Sequence, residues 1–171
     1  MRRSELEHII RAAAAISNQY EIMVIGSQSI LGSVAEPPAA LVESMEADIY
    51  PMQRPELAEL IEGAIGEGSP FHDLFGYYAQ GVGPETAVLP TGWQARLVKI
   101  QNPNTDLKVG YCLDPHDLAI SKLAAGREKD WPFVAEMIRH GFVDIDKLIS
   151  LTDSTPLISR VKLNAWLQAQ R

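Results

Sequence analysis

Two carboxylates stand one residue apart in "SMEADIYP", residues 44–51. The stretch alternates like a strand, and residues i and i+2 of a strand share a face. Glu46 and Asp48 therefore point the same way, with Ser44 and Tyr50 beside them, while Met45, Ala47 and Ile49 point to the other side. Like charges so placed repel unless a cation lies between them. Mg²⁺ suits such a pair, because it takes carboxylate oxygens while keeping waters and substrate phosphates. The pattern also suits the solvated polar face of an edge strand, and alternation alone does not separate the two readings.

A second stretch bears on that choice. "VIGSQSILG", residues 24–32, ends an apolar run with a Gly-Ser pair and passes at once into a short helical pattern over 27–35. The first turn of a helix has N–H groups without intrahelical acceptors, a seat for phosphate. Gly26 permits close backbone approach there, and Ser27 adds a hydroxyl. A nucleophilic serine is the competing chemistry, but the string Gly26-Ser27-Gln28-Ser29-Ile30 is not a G-x-S-x-G elbow. A phosphate seat at one strand end and a metal-binding pair on the next strand are complementary parts for phosphoryl or nucleotidyl transfer.

The elements that must position these residues follow from the hydrophobic pattern. The chain has 171 residues, 46% hydrophobic and 22% charged, which predicts one domain over 1–171 with a sizeable core. Ser4 and Glu7 have capping-box spacing, and Leu6, Ile9, Ile10, Ala13 and Ile16 recur at helical spacing to about Ser17. "YEIMVIG" is apolar on both faces and reads as an interior strand. Pro55 opens a helix with Leu57, Leu60, Ile61 and Ala64 as its apolar stripe. Residues 70–84 are rich in Gly and aromatics and carry no assignable period. "TAVLP", "ARLVKIQ" and "LKVGYCL" read as strands, with a hairpin-type turn at "NPNTD" between the last two. Asp114-Pro115, Pro132 and Thr155-Pro156 read as helix starts, with further helices near 144–151 and 156–169. The expected fold is α+β: a mixed sheet core over about 20–113, then a helical part over about 114–171.

Several classes are set aside by composition. No apolar run spans a bilayer, and Glu5, Glu7 and His8 stand where a signal peptide would be apolar, so the sequence reads as cytoplasmic with no membrane partner. The single cysteine, Cys112, excludes an internal disulfide and reads as a buried, inert thiol. A net charge of −7 argues against a broad non-specific nucleic-acid surface. A local patch from Arg96, Lys99, Lys108, Lys122 and Arg127 remains compatible with it.

A strand ending in Gly-Ser, a short helix and an acid-x-acid strand resemble the nucleotidyltransferase superfamily, with its polymerase-β-like fold. "CLDPHDLAISKLAAGREKD", residues 112–130, resembles the Lys…Arg-x-x-Asp helix of the abortive-infection type II toxin nucleotidyltransferases. It is more similar still to a small uncharacterised bacterial family grouped with them, which "LPTGWQARL", residues 89–97, also matches. The resemblance covers roughly residues 20–140. It implies that Glu46 and Asp48 bind Mg²⁺ and that Gly26 and Ser27 hold the phosphates of a nucleoside triphosphate. It further implies that Lys122 contacts the triphosphate and that Arg127 and Asp130 complete the catalytic site. An acceptor such as a tRNA end or other RNA, a protein side chain or a small molecule, and an antitoxin partner, are implied in the same way. The chain departs from the pattern twice. Val42 stands where the toxin-like pattern has an arginine, and the third carboxylate expected on a later strand is missing from "ARLVKIQ", which offers Arg96, Lys99 and Gln101. Glu85 and Asp106 lie at strand ends. A degenerate relative that binds nucleotide or a partner without turnover is the alternative.

The other candidates read as structural. On a helical wheel Arg127 and Asp130 fall under the Ala119, Ile120 and Leu123 face if the helix persists, as a buried ion pair or as site groups. His72 and Trp93 read as packing, and His116 as an exposed first-turn residue. Leu157, Val161 and Trp166 read as packing or an oligomer contact.

Overall fold

Residues 22–25 are all buried, as expected of a strand apolar on both sides, and they lie at the centre of the sheet. The computed structural model describes residues 1–156 and 159–171. It contains strands β1 (Glu21–Ile25), β2 (Glu46–Pro51), β3 (Tyr78–Gly81), β4 (Val98–Ile100) and β5 (Val109–Cys112), in the spatial order β3-β2-β1-β5-β4. β1 runs antiparallel to β2 and parallel to β5, while β3 is parallel to β2 and β4 antiparallel to β5. The described helices are α1 (Arg3–Ser17), α2 (Ile30–Ser33), α3 (Ala58–Ile65), α4 (Pro70–Phe75), α5 (Pro115–Ala125), α6 (Asp130–Arg139), α7 (Ile145–Thr152) and α8 (Arg160–Gln168). The fold is α+β around a mixed sheet: α1 to α4 are interspersed with the strands, and α5 to α8 follow β5 as the helical part the sequence predicts. None of the described helices is long and apolar enough to cross a membrane.

Alternation assigns the two faces of the sheet. Ile22, Val24, Ala47, Ile49, Gly110 and Cys112 share one face through the β1–β2 and β1–β5 registers. Helix α1 packs so tightly there that a Cβ on Gly110 would lie 2.3 Å from Ile10 Cδ1. Burial pushes the Cys112 thiol up to about 12, which keeps it protonated and inert. Glu46, Asp48, Met23 and Ile25 belong to the opposite face. Helix α5 approaches that side, as Ser121 and Lys122 line one cavity with Ile25 and Asp48.

The structure corrects several local expectations. "TAVLP" is not a strand: Pro84 opens a 3-10 turn over Pro84–Thr86, and Pro90 has no N–H for a ladder. The segment instead crosses as a strap, tied where the Thr91 N–H donates to the Ser154 carbonyl at 3.0 Å. Arg2, rather than Ser4, precedes the first helical turn, and its N–H donates to Glu5 at 2.7 Å. Glu7 is buried and accepts from the side chains of Asn102 and Asn104, both at 2.8 Å. These bonds hold its carboxyl below the usual range although burial opposes them. On the third predicted helix the buried stripe is Ala58, Ile61 and Ile65, because a 3-10 turn over Pro55–Leu57 rotates the register and leaves Leu60 exposed. Thr155 does not start a helix; its hydroxyl donates back to the Leu151 carbonyl at 2.7 Å and closes α7, while α8 begins at Arg160. His116 is not a free surface group: it bonds Asp114 through Nδ1 and accepts the Asp144 N–H at 3.0 Å through Nε2, joining α5 to α7. Val161 is 85% exposed and does not pack, whereas Trp166 meets Trp131 edge to face at 5.1 Å. Leu157 lies outside the described residues.

Candidate functional site

The Gly-Ser turn and the acidic strand meet. Ile25 pairs with Asp48 across the antiparallel β1–β2 ladder, so the next residue, Gly26, is laid against the Asp48 side chain. A Cβ on Gly26 would lie 2.3 Å from Asp48 Oδ2, and the residue has φ +70° and ψ −167°, a region essentially open to glycine alone. Both constraints demand glycine here. Gly26→Ala is expected to lower stability by about 2 kcal/mol or more. A chemical-denaturation curve that overlays wild type would contradict this account of the turn.

Glu46 and Asp48 sit on one strand face, both partly exposed. Burial pushes the Asp48 carboxyl up to about 6, and neighbouring Glu46 adds to the rise. Lys122, Arg127 and Lys129 act against it, which places three cations near the pair. A cavity of about 230 Å³ brings together Gly26, Asp48, Ser121, Lys122 and Arg127, with Thr86 and Ala87 of the strap as its far wall. A second, of about 470 Å³, shares Lys122 and is lined by Ser27, Ser44, Asp130 and Phe133 among others. Lys122 thus borders both the space at Asp48 and the space at Ser27.

Two of these cations, Lys122 and Arg127, are held by one buried acid. Helix α5 ends at Ala125 because Gly126 turns left-handed, with φ +63°. The helix therefore does not persist to Asp130, and the wheel that carried Arg127 and Asp130 along it does not apply. The chain instead folds back at 126–130. Asp130 is 1% exposed. It accepts the Arg127 N–H at 3.0 Å and the Arg127 Nε at 2.9 Å, and stands 3.7 Å from Lys122 Nζ. Burial lowers the Lys122 pKa, an effect that Asp130 and Asp48 oppose. The Lys122 ammonium also lies 5.2 Å from the Phe133 ring centroid. Asp130 is accordingly a brace, while Arg127, with 57% of its side chain exposed, and Lys122 are the groups at the cavity.

The donor set can be tested against a divalent metal. Two adjacent carboxylates and a glycine-floored approach present hard oxygen donors in the form Mg²⁺ takes. Among the described residues, no three His, Cys, Asp or Glu side chains converge on one metal position. The pair therefore fits one cation completed by water and phosphate oxygens, and not a closed protein cage.

The search for a third acid on "ARLVKIQ" fails for a topological reason. That stretch contains β4, which lies at the far edge of the sheet, with β1 and β5 between it and β2. The other neighbour of β2, on the side away from β1, is β3, which falls in the 70–84 stretch that carries no assignable period. Its register sets Tyr78 opposite Glu46 and Gln80 opposite Asp48. Neither is an acid. Tyr78 was missed as a site neighbour, although its hydroxyl donates to Glu46 Oε2 at 3.1 Å. The only sequence signal is the short "YYAQG" run, too brief for a period to show. Glu85 folds back toward Gly83, and Asp106 ends the turn between β4 and β5. His72 packs on Tyr78, with ring centroids 4.6 Å apart.

Comparisons with curated proteins and with solved structures return no match. A family model described as "nucleotidyltransferase of unknown function" (DUF6036) matches residues 4–168. That match spans the Gly-Ser turn, the acidic strand and the Lys122–Asp130 segment alike, and the chain belongs to this nucleotidyltransferase family.

Proposed function

We propose that the protein is an Mg²⁺-dependent nucleotidyltransferase that moves a nucleoside monophosphate from a nucleoside triphosphate to a hydroxyl acceptor. The observation that carries the proposal is the close packing of the Gly26 backbone against the Asp48 carboxylate, which joins the Gly-Ser turn to the acidic pair. Glu46 and Asp48 would hold the metal, which when bound supplies positive charge to phosphate oxygens. Gly26 and Ser27 receive phosphates at the turn. Lys122 and Arg127 neutralise the triphosphate, and Asp130 keeps both cations in place. The acceptor hydroxyl attacks the α-phosphorus in line and gives up its proton to solvent, a new P–O bond forms, the bond from the α-phosphorus to the α–β bridging oxygen breaks, and pyrophosphate leaves.

The acceptor classes are an RNA such as a tRNA end, a protein side chain or a small molecule. A toxin role with an antitoxin partner, and action in the cytoplasm, extend the resemblance of residues 112–130 to the toxin enzymes. A second reading, a nucleotide- or partner-binding relative without turnover, is favoured by Tyr78 and Gln80 on the strand beside the acidic pair.

The test is incubation with each α-labelled triphosphate, Mg²⁺ and total RNA, protein or small hydroxyl acceptors. Label transfer by wild type and none by Asp48→Asn is the expected result. Mg²⁺-dependent nucleotide binding without transfer would move the assignment to the second reading. Absence of nucleotide binding would overturn both nucleotide-handling readings.

A further inference from the structure

We propose that Tyr78, backed by His72, is a positioning residue that holds Glu46 in a one-oxygen binding geometry. The inference rests on the reading of Glu46 as a cation ligand. Because β3 is parallel to β2 and Tyr78 pairs with Glu46, the phenol falls on the same face of the sheet as the carboxylate. Its hydroxyl donates to Glu46 Oε2 at 3.1 Å. Among the described residues, Glu46 Oε1 accepts no hydrogen bond, so one oxygen is committed to the protein and one is left for a ligand.

The phenol is itself held. The His72 ring lies 4.6 Å from the Tyr78 ring at 49°, and His72 Nδ1 accepts the Gly68 N–H at 3.1 Å. The His72 N–H in turn donates to Ser69 Oγ, the N-cap of α4, at 3.2 Å. A chain of contacts therefore runs from the start of α4 to the acidic pair. A glutamate left to itself loses rotamer freedom when it captures a ligand. One fixed beforehand has already lost it, which strengthens binding without any new contact to the ligand. Asp48 needs no such partner, because the Gly26 backbone confines it from the other side.

The experiment follows Mn²⁺ by electron paramagnetic resonance as it binds the 171-residue chain with a non-hydrolysable triphosphate analogue. Metal-free binding of the analogue and the melting temperature are measured in parallel. Tyr78→Phe is expected to weaken metal-dependent binding about tenfold, the worth of one hydrogen bond to a charged group, and to leave metal-free binding unchanged. His72→Ala should weaken it about threefold and His72→Phe should restore it, since the ring is what the phenol needs. These two variants carry the test if Tyr78→Phe does not fold. A merely structural tyrosine would change the melting temperature and not the metal dependence. Wild-type metal affinity in Tyr78→Phe, alongside its loss in Asp48→Asn, would overturn the positioning role and leave the site intact. No metal-dependent binding by wild type would overturn the site reading, and this inference with it.

Discussion

Asp130→Asn is expected to destabilise the protein by about 3 kcal/mol, the low end of the range for removing one partner of a buried ion pair. Asparagine keeps the shape and one acceptor but removes the charge that faces Lys122 and Arg127. Lys122, 6% exposed, cannot turn to water for compensation. Its ammonium would stay buried beside Phe133 with only the more distant Asp48 to oppose it. The loss should appear in urea unfolding as a lower midpoint with an unchanged slope. Glu128→Gln, an exposed change in the same loop, should stay within about 0.5 kcal/mol of wild type. A loss below about 1 kcal/mol in Asp130→Asn would mean that Asp130 does not brace the two cations.

Asp48→Asn should act in the opposite direction on stability and remove metal-dependent nucleotide binding. The Asp48 carboxyl stands at about 6 in the fold against an ordinary 3.8. The folded state therefore binds its proton more tightly than the unfolded chain does. Stability from this group is present below about pH 4 and is lost as pH rises through about 6. At pH 7 the ionised group costs about 2–3 kcal/mol, which asparagine relieves. Asp48→Asn should thus melt higher than wild type at pH 7, and the gap should close as pH falls toward 4. Ligand reverses the order: Mg²⁺ with a triphosphate at a hundredfold excess over its dissociation constant should stabilise wild type by about 2.7 kcal/mol and leave Asp48→Asn unmoved. Melting curves at several pH values, with and without Mg²⁺ and each triphosphate, check both halves. Equal stability of the two proteins at pH 7 would remove the basis for a strained acidic pair.

What the sequence disclosed depends on the range of the interaction involved. Alternation placed Glu46 and Asp48 on one face because a strand's side-chain direction is a local property. The helix start at Asp114 was equally legible, since its carboxylate accepts the His116 N–H at 2.9 Å within the same turn. Whether the helix persists past Ala125 is left open by its periodicity, and Gly126 decides it by stopping the helix through its own left-handed backbone. Strand β3 has four residues and borrows its pairing from β2, so neither length nor period announced it. Nothing local to β3 therefore identifies it as the neighbour of the acidic pair, and the later strand in which the sequence pattern expects a third carboxylate lies at the opposite edge of the sheet. The joint role of Asp130 toward Lys122 and Arg127 was likewise out of reach, because it depends on how the chain folds back after Gly126.

The parallel pairing of β1 with β5 sets an order of assembly during synthesis. Strands β1, β2 and β3 come from residues 21–81 and pair among themselves. The other edge of β1 waits for Val109–Cys112, and α5 follows those residues immediately. A nascent chain that has emerged only as far as β3 therefore presents an apolar strand with unpaired backbone groups on one side, a template for wrong pairing. The acidic half of the cleft is complete at that moment, while the cationic half is still being made. Synthesis adds about 5–20 residues per second, far slower than a chain segment closes on its partner, so the emergence of the segment carrying β5 and α5 governs when the two halves first meet.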